Sequence, residues 1–244
     1  MKEQQEFLEL IATRVPPGDR WSLEGDKVVH KSLTETLEAW FAKTGQKAQF
    51  RLAPLEGKCT WQADTLDYLL SFYNKNTFRR CIDAGANYGF LSVGFSKYFK
   101  NVEAFELSSD IRHHLGINVK NIPNIRVHQK GLYDTTTSVN FELREQSGAS
   151  GIIGHGGVTE QVTTLDSFNY DDVDLLKIDV EGAEEHLIRG AKNTIKKCLP
   201  IICCEIHCGR DIGSFKRRQY IFKFLDSLGY KLVDVRHADL LFIA

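Results

Sequence analysis

Residues 78–99 constrain the fold more than any other stretch of the chain. An apolar lead, Phe78, Cys81 and Ile82, runs into Asp83, then Gly85, Asn87 and Gly89, and a helical pattern follows from Phe90 to Phe99. This reads as a buried strand, a tight glycine turn and a helix. Such a unit aims backbone N–H groups and a carboxylate at whatever lies over the strand's carboxyl end. A dinucleotide fingerprint would be Gly-x-Gly-x-x-Gly, with a middle glycine that admits a pyrophosphate. Here the order is Asp83-x-Gly85-x-Asn87-x-Gly89: an anion comes first, and Asn87 puts a side chain where a diphosphate would be crowded.

The turn therefore suits a cofactor with a cationic ammonium end and no phosphate, a description that S-adenosylmethionine meets. Any loop between strand and helix can hold a few glycines, so the case depends on partners. The second is Val102–Leu107, a short strand ending in Glu106, at the distance from Asp83 expected of a βαβ unit. An acid there can accept both ribose hydroxyls. The third is Asp174–Ala191, in which a run buried on both faces (Leu175, Leu176, Ile178, Val180) ends among Lys177, Asp179 and Glu181 before a helix from about Ala183. Acids at the carboxyl end of a parallel strand sit at the ligand crevice of an open α/β sheet.

Three blocks together, Asp83-x-Gly-x-Asn-x-Gly89, Val162-Thr-Thr-Leu-Asp-Ser-Phe168 and Lys177-Ile-Asp-Val-Glu-Gly-Ala-Glu184, resemble the FkbM family of S-adenosylmethionine-dependent methyltransferases. The resemblance runs from about Phe78 to His207, and the block at 177–182 is its most specific part. It implies a class I methyltransferase fold: a Rossmann-like, doubly wound α/β sheet with an antiparallel last strand. It implies cofactor contacts from Asp83, Gly85, Asn87, Gly89, Glu106, Leu107, Gly131, Leu132 and Asp179. It also implies methyl transfer to an alcohol oxygen on a sugar or small natural product.

The residues bound the alternatives. Of 244 residues, 42% are hydrophobic and 26% charged, which is ordinary for a globular chain. A net charge of −1 supplies no field to draw in nucleic acid or an anionic membrane, so neither is expected as a partner, and the oligomeric state is left open. The polar opening and the lack of a long apolar run give the expectation of a cytoplasmic protein. Cys81, Cys203 and Cys204 fall in expected buried strands, as free thiols do. Cys203-Cys204-Glu205-Ile206-His207-Cys208 alternates faces and has no Cys-x-x-Cys partner, so no metal is expected.

Two domains are expected: a mainly helical extension over 1–76, and the cofactor-binding domain over 77–244. In the extension, Gln4–Arg14, Leu33–Lys43 and Asp64–Tyr73 have helical periods, and Ala48–Leu52 alternates like a strand. From Phe78, strands are expected near Arg80–Asp83, Val102–Glu106, Ile125–Gly131, Asp174–Asp179 and Ile201–Ile206. Helices are expected at Phe90–Phe99, Asp110–Val119, Ala183–Ile195 and Ser214–Leu228. Lys231–Val235 and Leu240–Ala244 are linked too briefly for a parallel crossover and must form a hairpin. Thr136–Leu143 and Thr159–Thr163 read as extra strands around Ser147–Gly157, a glycine-rich span that is either a lid or a surface loop.

A hydroxyl acceptor must lose its proton as it attacks. Asp179, Glu181, Glu205 and His207 stand at strand ends, with His207 the first choice because it titrates nearest neutrality. Two other classes remain: a nicotinamide-dependent oxidoreductase, opposed by Asn87 and the terminal hairpin, and a non-catalytic methyltransferase-like binding module.

Overall fold

The computed structural model describes residues 22–24, 27–29, 78–142, 151–206, 212–236 and 239–244. The helices expected at 4–14, 33–43 and 64–73 and the strand at 48–52 lie outside them. Within 1–76, the described elements are β1 (Ser22–Glu24) and β2 (Lys27–Val29), an antiparallel pair in a stretch expected to be mainly helical.

The rest is an α/β unit. Its strands are β3 (Arg80–Ala84), β4 (Asn101–Phe105), β5 (Ile125–His128), β10 (Val173–Ile178), β11 (Ile201–Glu205), β12 (Lys231–Arg236) and β13 (Asp239–Ile243). They form one seven-stranded sheet in the order β12-β13-β11-β10-β3-β4-β5. Neighbours from β11 to β5 are parallel, and β13 runs antiparallel between β11 and β12. The order reverses between β3 and β10, the switch point where α/β sheets open a crevice. This is the doubly wound sheet with an antiparallel last strand expected from the sequence. Asp239 was expected in the hairpin link; it is the first residue of β13.

Alternation along the strands builds a core on each face. Ile82, Phe105, Leu176, Ile178, Ile202 and Phe242 pack on one side with Leu187, Ile188, Ile195 and Leu225. Cys81, Val102, Ala104, Leu175, Cys203 and Leu241 pack on the other with Val93, Phe95 and Leu115. Each such valine, leucine, isoleucine or phenylalanine, taken out of water, contributes about 1.5–3 kcal/mol. Cys81, Cys203 and Cys204 are buried free thiols in these layers.

The covering helices are α1 (Phe90–Phe95), α2 (Ser109–Val119), α3 (Glu184–Gly190), α4 (Lys192–Cys198) and α5 (Ile212–Ser227). α1 is shorter than expected, giving way to turns at Ser96–Tyr98. The helix expected over Ala183–Ile195 is two. A Cβ at Gly190 would lie 1.9 Å from the Tyr133 carbonyl oxygen, and Ala191 leaves helical geometry (φ −114°, ψ 7°). Asp166 restarts the helix. Its carboxylate accepts from the backbone N–H of Asn193 and Thr194 and from the Thr194 hydroxyl, at 3.0, 2.8 and 2.9 Å. The Thr-Leu-Asp-Ser block is thus a cap reaching α4 from a distant turn, worth ~1 kcal/mol by analogy with local caps.

A second sheet, in the order β6-β9-β7-β8, is built from β6 (Gly131–Leu132), β7 (Thr137–Glu142), β8 (Gly151–Ile153) and β9 (Val158–Thr163). The strand expected over Ile125–Gly131 ends at His128, and Gly131 begins β6 beside β9. Part of the glycine-rich span is therefore strand: Gly151–Ile153 pair with β7.

Candidate functional site

The strand ends at the switch point carry two left-handed, non-glycine residues, Asn87 (φ 51°) and Glu181 (φ 51°). Such backbone costs about 1–3 kcal/mol per residue and concentrates where function demands it. Asn87 tops the turn after β3; Glu181 tops the turn after β10. Gly151 of β8 approaches this second turn, since a Cβ there would lie 3.2 Å from the Glu181 carbonyl oxygen.

The turn after β3 is fixed by backbone. The N–H groups of Gly85 and Ala86 both donate to the Phe105 carbonyl at 2.9 Å, tying the turn to the end of β4. Glu106, next along, accepts the Asn87 N–H on Oε2 and the Ser108 N–H on Oε1, each at 2.9 Å. Arg112 of α2 clamps the Glu106 and Leu107 carbonyls at 2.7 and 2.6 Å and reaches Glu160 of β9 at 3.3 Å. Glu106 is nearly buried. Burial pushes its carboxyl up to about 7, against the pull of the two N–H groups and Arg112. The Asn87 side-chain oxygen is buried without a hydrogen-bond partner.

Asp83 lies just beneath, fully within the fold. It accepts the Ser92 hydroxyl of α1 at 2.5 Å. Burial raises it to about 6, while Ser92 and Lys177 hold it down.

Gly85 has φ 81°, and a Cβ there would lie 1.7 Å from the Asp179 backbone oxygen. A glycine was expected here for a positive φ or for the close approach of a cofactor, and the positive φ is present. The neighbouring strand end also approaches it, so the fold itself requires a glycine here. Gly89, at the start of α1, meets Leu115 of α2 in the same way, and Gly131 meets Leu107. Leu132 points into the core.

On the other side of the switch point the site is charged. By strand register Asp83, Lys177, Cys203 and Leu241 lie across the sheet on one face, with Glu205 opposite Asp239. Lys177 is wholly buried, its Nζ 3.2 Å from Asp239 Oδ1 and 3.7 Å from Asp179 Oδ2. The pairing of Ile178 with Cys204 brings Asp179 and Glu205 to adjacent strand ends. Burial and the Asp179 charge raise Glu205 to about 8, with Lys177 opposing. Ahead of α3, the Gly182 N–H donates to Glu184 Oε1 at 2.8 Å. His207 lies outside the described residues.

The structure thus brings together Asp83, Asn87, Glu106, Asp179, Glu181 and Glu205. The sequence reading missed Ser92, Arg112, Glu160 and Asp239, and gave Lys177 no role. The signal for Lys177 was available: a cation inside an apolar strand needs buried partners.

A model of the methyltransferase FkbM domain matches residues 83–232, a span from Asp83 inside β3 to the strand that opens the terminal hairpin. The chain belongs to the FkbM methyltransferase family, whose methyl donor is S-adenosylmethionine. Among solved structures, an FkbM methyltransferase from Methylobacillus flagellatus KT aligns over 70% of this chain and 44% of its own, at 16% identity and a TM-score of 0.49. This chain therefore spans under half of that protein. A precorrin-6y C5,15-methyltransferase from Geobacter metallireducens GS-15 aligns over 74% and 86%, at 15% identity and a TM-score of 0.43. Fibrillarin from Aeropyrum pernix, solved with natively bound S-adenosyl-L-methionine, aligns over 75% and 73%, at 10% identity and a TM-score of 0.42. No curated protein sequence matches the chain. Family membership removes the nicotinamide-dependent alternative. Among the described residues no helix is long and apolar enough to cross a membrane.

Proposed function

We propose that the chain methylates a hydroxyl oxygen of a small molecule or carbohydrate in the cytoplasm, with S-adenosylmethionine as donor. What supports the oxygen is the placement of Glu205 and Asp179 at adjacent strand ends beside the turn after β3, with Glu205 raised to about 8 by burial and the Asp179 charge. An alcohol, unlike an amine with its free lone pair, needs a base as it attacks, and a carboxyl raised to about 8 supplies one as it ionises.

The residues after β3 fit the donor. The unpartnered Asn87 oxygen is an acceptor for an ammonium group. Glu106 has spent one N–H on each oxygen and keeps lone pairs for two ribose hydroxyls. When bound, S-adenosylmethionine supplies an activated methyl group on a sulfonium. The chain's own contribution is positioning and proton transfer. Asn87 and Glu106 orient the donor, β8 beside Glu181 walls the crevice, and Glu205, once ionised, receives the acceptor's proton. The earlier candidates Glu181 and His207 stay available as second groups.

The net charge of −1 supports an acceptor other than nucleic acid. Incubation with labelled donor and matched panels of sugars, phenols, amines and RNA tests the reading. Labelled methyl ethers from the hydroxyl panel are expected. Labelling of amines or RNA alone would overturn it, and donor binding without turnover on any panel would favour a binding module.

A further inference from the structure

The second sheet reaches the donor side of the crevice through one buried acid. Along β9, Val158, Glu160 and Val162 share a face with Phe141, Val139 and Thr137 of β7, and Val162 is paired with Gly131 of β6. Glu160 stands between two valines on that face and is 6% exposed. A carboxylate buried there needs partners, and both come from the start of α2. Its Oε1 accepts the Ser109 N–H at 2.7 Å, one of the N–H groups that the first turn of a helix leaves free. Its Oε2 accepts from Arg112 Nη2 at 3.3 Å. On the same face of the sheet, Gly131 abuts the Leu107 side chain.

These contacts converge on residues 106–109, the segment that carries Glu106. Arg112 Nη1 donates to the Glu106 and Leu107 carbonyls at 2.7 and 2.6 Å. Two carbonyls orient a guanidinium but do not balance its charge; the carboxylate that its other nitrogen meets is Glu160. The two side chains are 14% and 8% exposed, so water screens the pair little. Removing one partner from such a pair leaves the other charge buried and unpaired. Without Glu160, Arg112 would turn towards solvent on its long stem and release both carbonyls.

We propose that Glu160 is a positioning residue for the donor: by holding Arg112 and the Ser109 N–H, it fixes the backbone at Glu106 and Leu107 and so the angle at which Glu106 meets the ribose. This rests on reading Glu106 as the acceptor of the ribose hydroxyls. The second sheet is then part of the donor site as well as a wall of the crevice, where its edge strand β8 meets Glu181. The effect is confined to the ribose, because the turn after β3 keeps its own ties to the Phe105 carbonyl.

Calorimetric binding of two ligands to the full chain tests this: S-adenosylhomocysteine, and its dideoxy analogue lacking both ribose hydroxyls. The parent should prefer S-adenosylhomocysteine roughly tenfold or more, as expected of hydrogen bonds to a charged group. Glu160→Ala should lose most of that preference. It should bind S-adenosylhomocysteine severalfold more weakly, the coupling of groups in one hydrogen-bond network, and bind the analogue as the parent does. Glu160→Gln, which keeps an oxygen for the Ser109 N–H, should fall between. If Glu160→Ala fails to fold, Glu160→Gln alone decides. Equal losses for both ligands, which a merely structural role would give, or no loss for either, would overturn the proposal. Glu106→Ala tests the underlying reading and should bind both ligands alike. If Glu106→Ala still prefers S-adenosylhomocysteine, the ribose assignment falls. If Glu106→Ala loses the preference while the Glu160 variants keep it, only the role of Glu160 falls.

Discussion

The two sides of the switch point hold their functional groups by different means. After β3 and β4, position comes from backbone: the Gly85 and Ala86 N–H groups fix the turn, and the Asn87 and Ser108 N–H groups fix Glu106. After β10 and β11, position comes from charge, with Lys177, Asp179, Glu205 and Asp239 balancing one another inside the sheet. Backbone cradles are pre-formed, and their geometry does not depend on charge even where the carboxyls they hold, Asp83 and Glu106, are raised to about 6 and 7. A charge cluster in low dielectric responds to every proton it gains or loses. The first side suits a constant ligand; the second suits proton transfer.

The largest effect should come where the two sides touch. Gly85→Val would drive a Cβ onto the Asp179 carbonyl at 1.7 Å, beyond the about 1–3 kcal/mol of an ordinary strained residue. The variant should lose its cooperative urea transition. A stably folded variant that merely fails to bind donor would make Gly85 a cofactor residue and separate the two sides.

Next comes the acid–base step. Glu205→Gln should cut turnover by about 10²–10⁴ in initial-rate assays. The parent's rate should rise with pH as Glu205 ionises through about 8. An undiminished rate would pass the role to Asp179, Glu181 or His207.

The smallest effect is on stability. Asp83, Glu106 and Glu205 are raised in the fold to about 6, 7 and 8 from 3.8, 4.5 and 4.5. Each raised carboxyl contributes stability that is full below its unfolded value and lost as pH rises through its folded value. Melting temperatures should therefore fall from about pH 5 to about pH 8. Glu205→Gln should flatten the upper part of that fall, and Glu106→Gln the middle. Parallel curves for all three proteins would remove the charge-held account.

The backbone-held side was legible in the sequence because its signals are local. Asp83, Gly85, Asn87 and Glu106 lie in two short segments at the spacing of one βαβ unit. The reason for Gly85 was not legible, since the group that excludes its Cβ belongs to a strand far along the chain. The charge-held side was legible only as a list of acids. That Lys177 meets Asp239 follows from β13 inserting between β11 and β12, with Asp239 opposite Glu205. Strand pairing of that range is not written in either segment alone. The break at Gly190 was hidden for the same reason, because its cause is the Tyr133 carbonyl.

Calorimetric binding of S-adenosylhomocysteine to the parent, Glu106→Ala and Glu205→Gln tests the division most directly. The parent should bind with micromolar affinity, on the order of −8 kcal/mol. Glu106→Ala should lose about 1.5–3 kcal/mol, tenfold or more, for hydrogen bonds to a charged group. Glu205→Gln should stay within about twofold, as expected of a group outside the donor contacts. Full affinity in Glu106→Ala, or an equal loss in both variants, would contradict the account.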